Sequence, residues 1–279
     1  MIEGQLFPGS AGPTAEPELL SSGLLGDCAS VYRVDNNLVL KISPPAFPNV
    51  AREMALKADR ARECLGKDLG WAVTKVLRHW EADGVSCALF EELTNISGNR
   101  VKRFVQVRRV TPSVLTWLRG VAALDRGTSD QCETCLQALV DCPYVTLREP
   151  AEAALASVRS GAFVPQSRIM HSDLWVGNVM LDPAGVRPFI LIDWRGSNVD
   201  GFPIFDLVKF AQSSSLGRRA LRAELGAHAE RLGCDICDTR SYLLAALGYI
   251  WIHLEQFPPE RFLAMGESCL ATLDNALNG

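Results

Sequence analysis

The stretch that decides the fold reads His171-Ser-Asp-Leu-Trp-Val-Gly-Asn178, continues through Val-Met-Leu, and is followed by Phe189-Ile-Leu-Ile-Asp-Trp194. Polar residues, His171 to Asp173 and Asn178, lie at both ends of this stretch, and short apolar runs typical of buried strands follow. The pattern therefore predicts a loop followed by a strand, with a second aspartate, Asp193, after it.

The spacing of the loop matches the pattern H-x-D-L-x-x-x-N, which serves phosphoryl transfer. Asp173 could orient an acceptor hydroxyl and take its proton. The amide oxygen of Asn178 and the carboxylate of Asp193 are hard ligands that could hold Mg²⁺ between the β- and γ-phosphates. We interpret His171 as shaping the loop rather than reacting. Ordinary turn residues would explain each position alone, but not the set.

A lysine on a predicted strand is the second signal. Lys41 lies in Leu38–Ile42, where burial of an ammonium group requires an anionic partner. In kinases such a lysine contacts the α- and β-phosphates and is held by a glutamate of the following helix. Glu53 is the candidate by position and Glu63 a weaker alternative. Lys41 could instead extend into solvent from an edge strand.

The turn before this strand contains two glycines rather than G-x-G-x-x-G. Backbone N–H groups from Gly26 to Ser30 could contact phosphate oxygens. An ordinary hairpin turn fits these residues equally well.

Together these segments resemble the aminoglycoside phosphotransferase and choline kinase superfamily, over roughly residues 19 to 210. The segments that carry the resemblance are 30–34 with Lys41, 171–178, 192–194 and 203–207. The resemblance implies an α+β, bilobal, protein-kinase-like fold with a small antiparallel-sheet N-lobe and a larger helical C-lobe. It also implies an enzyme that uses ATP or another nucleoside triphosphate, with Mg²⁺, to phosphorylate a hydroxyl of a small molecule.

The resemblance also assigns roles to individual residues. They are Asp173 as base, Asn178 and Asp193 as metal ligands, Lys41 with Glu53 as the phosphate-positioning pair, Asp206 as a brace of the catalytic loop, and the backbone of Glu91 and Leu93 as the adenine hinge.

Departures from the protein-kinase pattern favour a small acceptor. Asp193 is followed by Trp-Arg rather than Phe-Gly, and only twelve residues separate it from Asp206. That interval is too short for an activation loop and a peptide platform. A nucleotide-binding regulator with this fold, or a protein kinase with one specific partner, remains an alternative. Trp175 and Gly177 resemble the loop of fructosamine kinases, but the residues after Asp193 do not continue that likeness.

The distribution of Gly, Pro and apolar periodicity along the chain predicts three regions. They are an irregular lead-in (1–18), a nucleotide-binding N-lobe (19–93) and a helical C-lobe with the catalytic loop and acceptor pocket (94–279). In the N-lobe we predict strands at 30–34, 38–42, 71–77 and 86–90, interrupted by one helix that begins at Val50 with Asn49 as its N-cap. Helical periodicity predicts six helices in the C-lobe, at 113–125, 130–140, 150–160, 216–232, 240–255 and 259–277.

Bulk composition excludes some partners. The net charge of −4 and pI of about 5.7 give no overall attraction to nucleic acid or anionic lipid, so we expect neither as a partner. The apolar stretch 242–254 is too short to span a membrane. Without a secretory signal pattern we expect a cytoplasmic protein, whose oligomeric state the sequence leaves open.

Three features stay open. The segment 99–109 carries five cations and could attract an anionic acceptor or a polyanionic partner, although we favour a solvated edge strand or loop with inward Val and Phe. Two C-x-x-C pairs, Cys132/Cys135 and Cys234/Cys237, could form a zinc site, but reduced thiols that pack as small hydrophobes fit better. Arg195 could stabilise phosphate charge or pair with Asp200 or Asp206.

Overall fold

The computed structural model describes residues 17–22, 29–35, 37–255 and 257–278. The first five strands form an antiparallel sheet in the order β1-β2-β3-β5-β4. Their bounds are β1 Glu18–Ser21, β2 Ser30–Asp35, β3 Leu38–Ile42, β4 Val76–Ala82 and β5 Val85–Glu91. Most of the predicted lead-in lies outside the described residues.

Helix α1 (Val50–Leu69) packs on this sheet through alanines, which allow close approach of helix and strand. Asn49, the predicted N-cap, makes no side-chain cap bond. Instead Ser43 Oγ accepts from the backbone N–H of Ala51 at 2.8 Å, and Ser86 Oγ accepts from that of Arg52 at 3.1 Å. The start of α1 is thus capped by serines adjoining β3 and lying on β5, which fixes the helix to the sheet.

One strand begins later than its sequence predicts. The run from Trp71 looks extended, but Gly70–Ala72 form a short 3₁₀ turn and β4 starts at Val76. Trp71 instead packs edge-on against Phe189, with ring centroids 5.2 Å apart. Burial against the second lobe therefore outweighs the strand preference of this residue.

Beyond the sheet the chain is mainly helical. Seven helices follow α1 within the described residues, namely α2 Arg100–Ala123, α3 Cys132–Val140, α4 Val145–Arg159, α5 Ile204–Ser214, α6 Arg218–Leu232, α7 Thr239–Ile252 and α8 Pro259–Leu277. One contiguous core joins them. The predicted α+β organisation, a small antiparallel sheet before a larger helical lobe, is confirmed.

The structure corrects the prediction for the basic segment 99–109. This segment is neither an edge strand nor a loop, because α2 begins at Arg100 and continues past Pro112. Asn99 Oδ1 caps the helix by accepting from two backbone N–H groups at 3.1 Å. The sequence suggested a later start because proline usually ends a helix. Phe104, expected to point inward, is exposed.

Five short strands support the loops between the helices. They are β6 Thr94–Asn95, β7 Arg168–Met170, β8 Val179–Leu181, β9 Ile190–Leu191 and β10 Asn198–Gly201. β6, β8 and β9 form one antiparallel sheet, and β7 pairs with β10. In the described part of the chain, no helix is both long and apolar enough to cross a membrane.

The cysteines of the first C-x-x-C pair lie on α3 and are buried in the helical core. Burial raises the pKa of Cys132 and of Cys135 to about 12, as expected for thiols that pack as hydrophobes. In the second pair, Cys234 is half-buried and Cys237 exposed. Among the residues with described positions, no three Cys, His, Asp or Glu side chains are grouped to hold a metal ion.

Candidate active site

The loop between β7 and β8 carries the predicted catalytic aspartate. Leu174 and Val176 are fully buried and anchor the loop in the helical core, whereas Asp173 faces solvent. The backbone N–H of Val176 donates to Ser213 Oγ of α5 at 3.0 Å. Alternate burial along the loop thus turns the Asp173 carboxylate outward from a fixed backbone.

Asp206, in the first turn of α5, holds the other end of this loop. Its carboxylate accepts from the backbone N–H groups of His171 at 2.6 Å and Ser172 at 3.0 Å. Complete burial raises the pKa of Asp206 to about 7, while the two N–H groups act in the opposite direction. The side chain therefore lies where an acid that braces the loop is expected.

His171 joins the catalytic loop to the segment after β9. Its Nδ1 accepts from the backbone N–H of Asp173 at 3.3 Å, and its Nε2 lies 2.9 Å from the carbonyl oxygen of Ile192. Burial lowers the pKa of His171 to about 4, so the imidazole is neutral and Nε2–H donates to Ile192. With both nitrogens in use, this geometry favours loop shaping over proton transfer.

Asp173, Asn178 and Asp193 lie together. Asn178 Nδ2 donates to the carbonyl oxygen of Asp173 at 2.8 Å and to its Oδ2 at 3.0 Å. Desolvation by the surrounding protein atoms raises the pKa of Asp173 to about 6, and the charge of Asp193 adds to the rise. Lys209 and donors on Asn178 and Trp175 oppose it. Because the carboxylate still faces solvent, water moderates the desolvation.

Asp193, two residues after the end of β9, adopts a left-handed conformation with φ of 65°. Non-glycine residues rarely adopt it, and it commonly marks a functional turn. The next residue, Trp194, is buried, and its Nε1–H donates to the carbonyl oxygen of Leu191 at 2.9 Å. This anchor holds the strained turn, which places Asp193 on the wall of a large cavity.

The cavity, of about 740 Å³, lies between the sheet and the helical lobe. Lys41 and Asp193 line it from opposite lobes. The Lys41 ammonium lies 5.5 Å from the ring centroid of Phe90 on β5. Ser30 begins β2 and pairs with Ile42, one residue from Lys41. Gly26, the other predicted phosphate contact, lies outside the described residues.

Glu53 lies in the first turn of α1 and is exposed. It contacts Arg195, with 3.4 Å between Nε and Oε2, and Arg195 also reaches Glu255 at 2.6 Å. One turn along α1, Lys57 Nζ donates to the carbonyl oxygen of Ser197 at 2.8 Å. Helix α1 is thus tied at two points to the segment that follows Asp193. Glu63, the weaker candidate, lies nearly three turns further along the helix.

The acids suggested as partners of Arg195 are engaged elsewhere. Asp206 accepts from the catalytic loop, as described above. Asp200 lies 3.7 Å from Arg126 and accepts from Ser167 Oγ at 3.3 Å. The contacts with Glu53 and Glu255 join residues far apart in sequence, which spacing alone does not predict.

Glu91 and Leu93, the predicted hinge, line the cavity at the end of β5. The Glu91 carboxylate accepts two hydrogen bonds from Arg187, at 2.8 and 3.0 Å. Arg187 also donates through Nε to Asp182 at 3.1 Å, and this pair lowers the pKa of Asp182 to about 2. Sequence reasoning missed Arg187, because no motif joins positions so far apart.

The residues present fit a magnesium ion. Asn178 uses its Nδ2 for Asp173, which leaves Oδ1 as the atom of the amide that can face a cation. Asp193 provides a carboxylate on the cavity wall. Oxygen ligands of this kind, completed by phosphate and water, are those that Mg²⁺ prefers.

Comparisons with solved structures show the fold. A choline/ethanolamine kinase family protein from Mesorhizobium loti is 16% identical, with 100% of this chain and 93% of that chain covered and a TM-score of 0.57. Choline kinase LicA from Streptococcus pneumoniae is 16% identical over 93% of each chain, with a TM-score of 0.56. A thermostable mutant of aminoglycoside phosphotransferase APH(4)-Ia, in complex with AMP-PNP and hygromycin B, is 13% identical over 100% of this chain and 99% of that chain, with a TM-score of 0.60. The predicted bilobal, kinase-like fold is confirmed.

A search of curated proteins found no significant match. Comparison with protein-family models gives one that covers residues 22–243, the phosphotransferase enzyme family named APH. That range includes both halves of the candidate site and most of the helical lobe. The chain therefore belongs to the APH phosphotransferase enzyme family.

Proposed function

We propose that this protein transfers the γ-phosphoryl group of ATP, or of another nucleoside triphosphate, to a hydroxyl group of a small molecule. The observation that carries the proposal is the cluster of Asp173, Asn178 and Asp193 beside a cavity that Lys41 lines from the other lobe. Phosphoryl transfer is catalysed largely by positioning and charge, and these residues supply both.

In this proposal the nucleotide lies in the 740 Å³ cavity. The backbone of Glu91 and Leu93 binds the base, and Lys41 binds the α- and β-phosphates. Glu53 lies in the first turn of α1, where its contact with Arg195 ties this helix to the Asp193 loop. We propose Glu53 as the acid that, with Lys41, positions the phosphates.

Asn178 and Asp193 would hold Mg²⁺, which supplies charge neutralisation of the triphosphate when bound. The hydroxyl oxygen of the acceptor bonds to the γ-phosphorus, while the bond between that phosphorus and the oxygen bridging to the β-phosphate breaks. Asp173 accepts the proton of the hydroxyl in this step. His171 and Asp206 keep the loop in place while this occurs.

A small acceptor is favoured over a protein. Strand β10 and the first residues of α5 fill the interval between Asp193 and Asp206, and these residues are largely buried. No length of chain is left there for an activation loop. Two of the similar solved structures are complexes with the small molecules kanamycin and hygromycin B, which supports a small-molecule acceptor without identifying it. The cysteines of the described residues form no disulfide, which favours the cytoplasm as the proposed location.

The test uses ATP labelled at the γ-phosphate, magnesium and a pool of sugars, amino alcohols and antibiotics, followed by identification of the labelled product. We expect label in a small solute, and Asp173→Asn to lower turnover at least 100-fold while ADP affinity stays within about twofold. Asp83→Asn, in the exposed turn between β4 and β5, is the matched control and should leave turnover unchanged.

Three other results would each reject part of the proposal. Label in protein alone would indicate a protein kinase. Thermal protection by ATP with no labelled product from any pool would indicate a nucleotide-binding regulator. Unchanged turnover in Asp173→Asn would remove this residue as the base.

A further inference from the structure

Helix α2 presents two apolar faces, although a surface helix usually has one. The inner face packs in the helical core through Val107, Val110 and Val114. The outer face has exposed fractions of 72% at Val101, 61% at Phe104 and 59% at Val105. Their i, i+3, i+4 spacing places these three side chains next to one another on one face of the helix. The outer apolar face is therefore continuous and open to solvent.

The start of helix α2 is rich in cations, namely Arg100, Lys102, Arg103, Arg108 and Arg109 within the first ten residues. Lys102, Arg108 and Arg109 adjoin the outer face, and the Arg108 guanidinium lies 5.6 Å from the ring centroid of Phe104. None of the five makes an ion pair with a carboxylate in the described part of the chain, whereas arginines such as Arg33, Arg159, Arg187 and Arg240 do. These five positive charges are thus available to an external anion.

Charge is strongly separated along the chain. Between Glu92 and Asp125 there are six basic residues and no acidic ones, so the rest of the chain carries a net charge of −10 against the overall −4. Three of the cations, Arg100, Lys102 and Arg103, lie in the first turn of α2, where the helix dipole disfavours positive charge. An anion bound at this end would interact favourably with both the dipole and the side chains.

We propose that this outer face of α2, formed by Val101, Lys102, Phe104, Val105, Arg108 and Arg109, docks on an anionic phospholipid surface. The protein binds there peripherally, with the three apolar side chains in the headgroup region and the cations among the lipid phosphates. The proposal is independent of the proposed function, because none of these residues lines the nucleotide cavity.

The shape and chemistry of the face favour lipid over other polyanions. Val101, Phe104 and Val105 protrude from a convex helix rather than line a groove, and a bound peptide would need a groove for its anchoring side chains. A nucleic acid backbone would contact the cations but would leave the apolar centre without a partner. A bilayer interface accommodates protruding apolar groups and anionic contacts together. The overall net charge predicts weak membrane affinity, but it averages over this local separation of charge.

The test is cosedimentation of the full chain with vesicles of phosphatidylcholine alone, or with about 30 mol% phosphatidylglycerol added. We expect binding to the anionic vesicles only, reduced at least tenfold when salt is raised from about 0.05 M to about 0.5 M. Lys102→Glu/Arg109→Glu should reduce binding at least tenfold. Phe104→Ser/Val105→Ser, which keeps every charge, should reduce it several-fold at low salt.

The matched control is Arg218→Glu/Arg219→Glu, which makes the same charge change at two exposed arginines in the first turn of α6. It should bind like the unchanged protein, and all variants should keep its far-UV circular dichroism and thermal midpoint. Equal loss in this control would mean adsorption through total charge and would overturn the proposal. Full binding by Phe104→Ser/Val105→Ser would also overturn the proposal. Absence of binding to anionic vesicles would overturn it as well and would leave an acidic protein as the partner of this face.

Discussion

Replacement of Arg187 by methionine tests whether the predicted hinge at Glu91 depends on one guanidinium group. Arg187 donates twice to Glu91 and once through Nε to Asp182, and its backbone N–H also donates to Asp182 at 2.9 Å. Its side chain is 24% exposed, that of Glu91 25% and that of Asp182 3%. Methionine keeps much of the volume, but both carboxylates lose their charged donor.

The magnitude follows from these contacts. The pKa of Asp182 is lowered from 3.8 to about 2, with the Arg187 side chain as the largest cause, and the full shift corresponds to about 2 kcal/mol. The backbone donors to Asp182 survive the substitution, so less than this is lost there. The half-buried pair with Glu91 adds about 1 kcal/mol. We therefore expect Arg187→Met to lower the free energy of unfolding by about 2 to 3 kcal/mol.

The assay is thermal and urea unfolding, with Arg159→Met as the control. Arg159 makes similar contacts, to Glu133 at 2.8 Å and Gln137 at 3.0 Å, but the two charged side chains are more than half exposed. That variant should lose only about 0.5 kcal/mol. At this chain length the expected fall in Tm is roughly 4 °C for Arg187→Met and about 1 °C for the control.

The acid side of the stability curve gives a second check. Because the pKa of Asp182 is lowered in the folded state, its contribution is complete above pH 4 and is lost as the pH falls towards 2. The difference between Arg187→Met and the unchanged protein should therefore be constant near neutral pH and shrink below pH 4. If Arg187→Met were no less stable than Arg159→Met, the hinge contacts would not stabilise the fold as argued.

Three further predictions concern the helical lobe. A Cβ on Gly248 would lie 1.9 Å from the Cys135 carbonyl oxygen, so Gly248→Ala should lower the free energy of unfolding in urea by at least about 3 kcal/mol. The control Gly98→Ala, with open space around the added methyl group, should lower it by less than about 1 kcal/mol. Burial lowers the pKa of His228 to about 4, so stability should fall by about 3 kcal/mol as the pH drops from 6.5 to 4, and unfolding curves of His228→Leu should lack this part of the fall. Asp206→Asn should lower the free energy of unfolding by about 1 to 3 kcal/mol and slow turnover at least tenfold, because an amide has one acceptor oxygen for the two loop N–H groups. Unaltered turnover would argue against a role of Asp206 in holding the loop.

Sequence reasoning located the elements whose signals are local. The loop 171–178 and Asp193 could be placed because their spacing, and the buried strands beside them, leave few conformations. Helix α8 was predicted with its observed bounds, Pro259–Leu277, since proline marks its first turn and its periodicity is regular. The α+β organisation followed from the change in periodicity after the hinge.

Long-range contacts could not be predicted. Nothing in the sequence pairs Arg187 with Glu91 or Arg195 with Glu53, because a surface arginine fits many acids equally well. The sequence analysis did not predict helix α5. Most of the first eight of its eleven residues are apolar, so they show no clear helical periodicity. Lys209, three residues after Asp206, lies one turn along the same helix, and that spacing could have indicated its position near the catalytic loop.

The two lobes are joined by ionic contacts at both sides of the cavity, and these contacts differ in strength. At the hinge, Arg187 and Glu91 are half-buried and joined by two hydrogen bonds. At the Asp193 loop, Glu53 and Arg195 meet through a longer contact with half of the glutamate exposed. Solvent and salt weaken the second pair far more than the first. Relative motion of the lobes should therefore pivot near Glu91, so that the cavity opens on the side of the Asp193 loop.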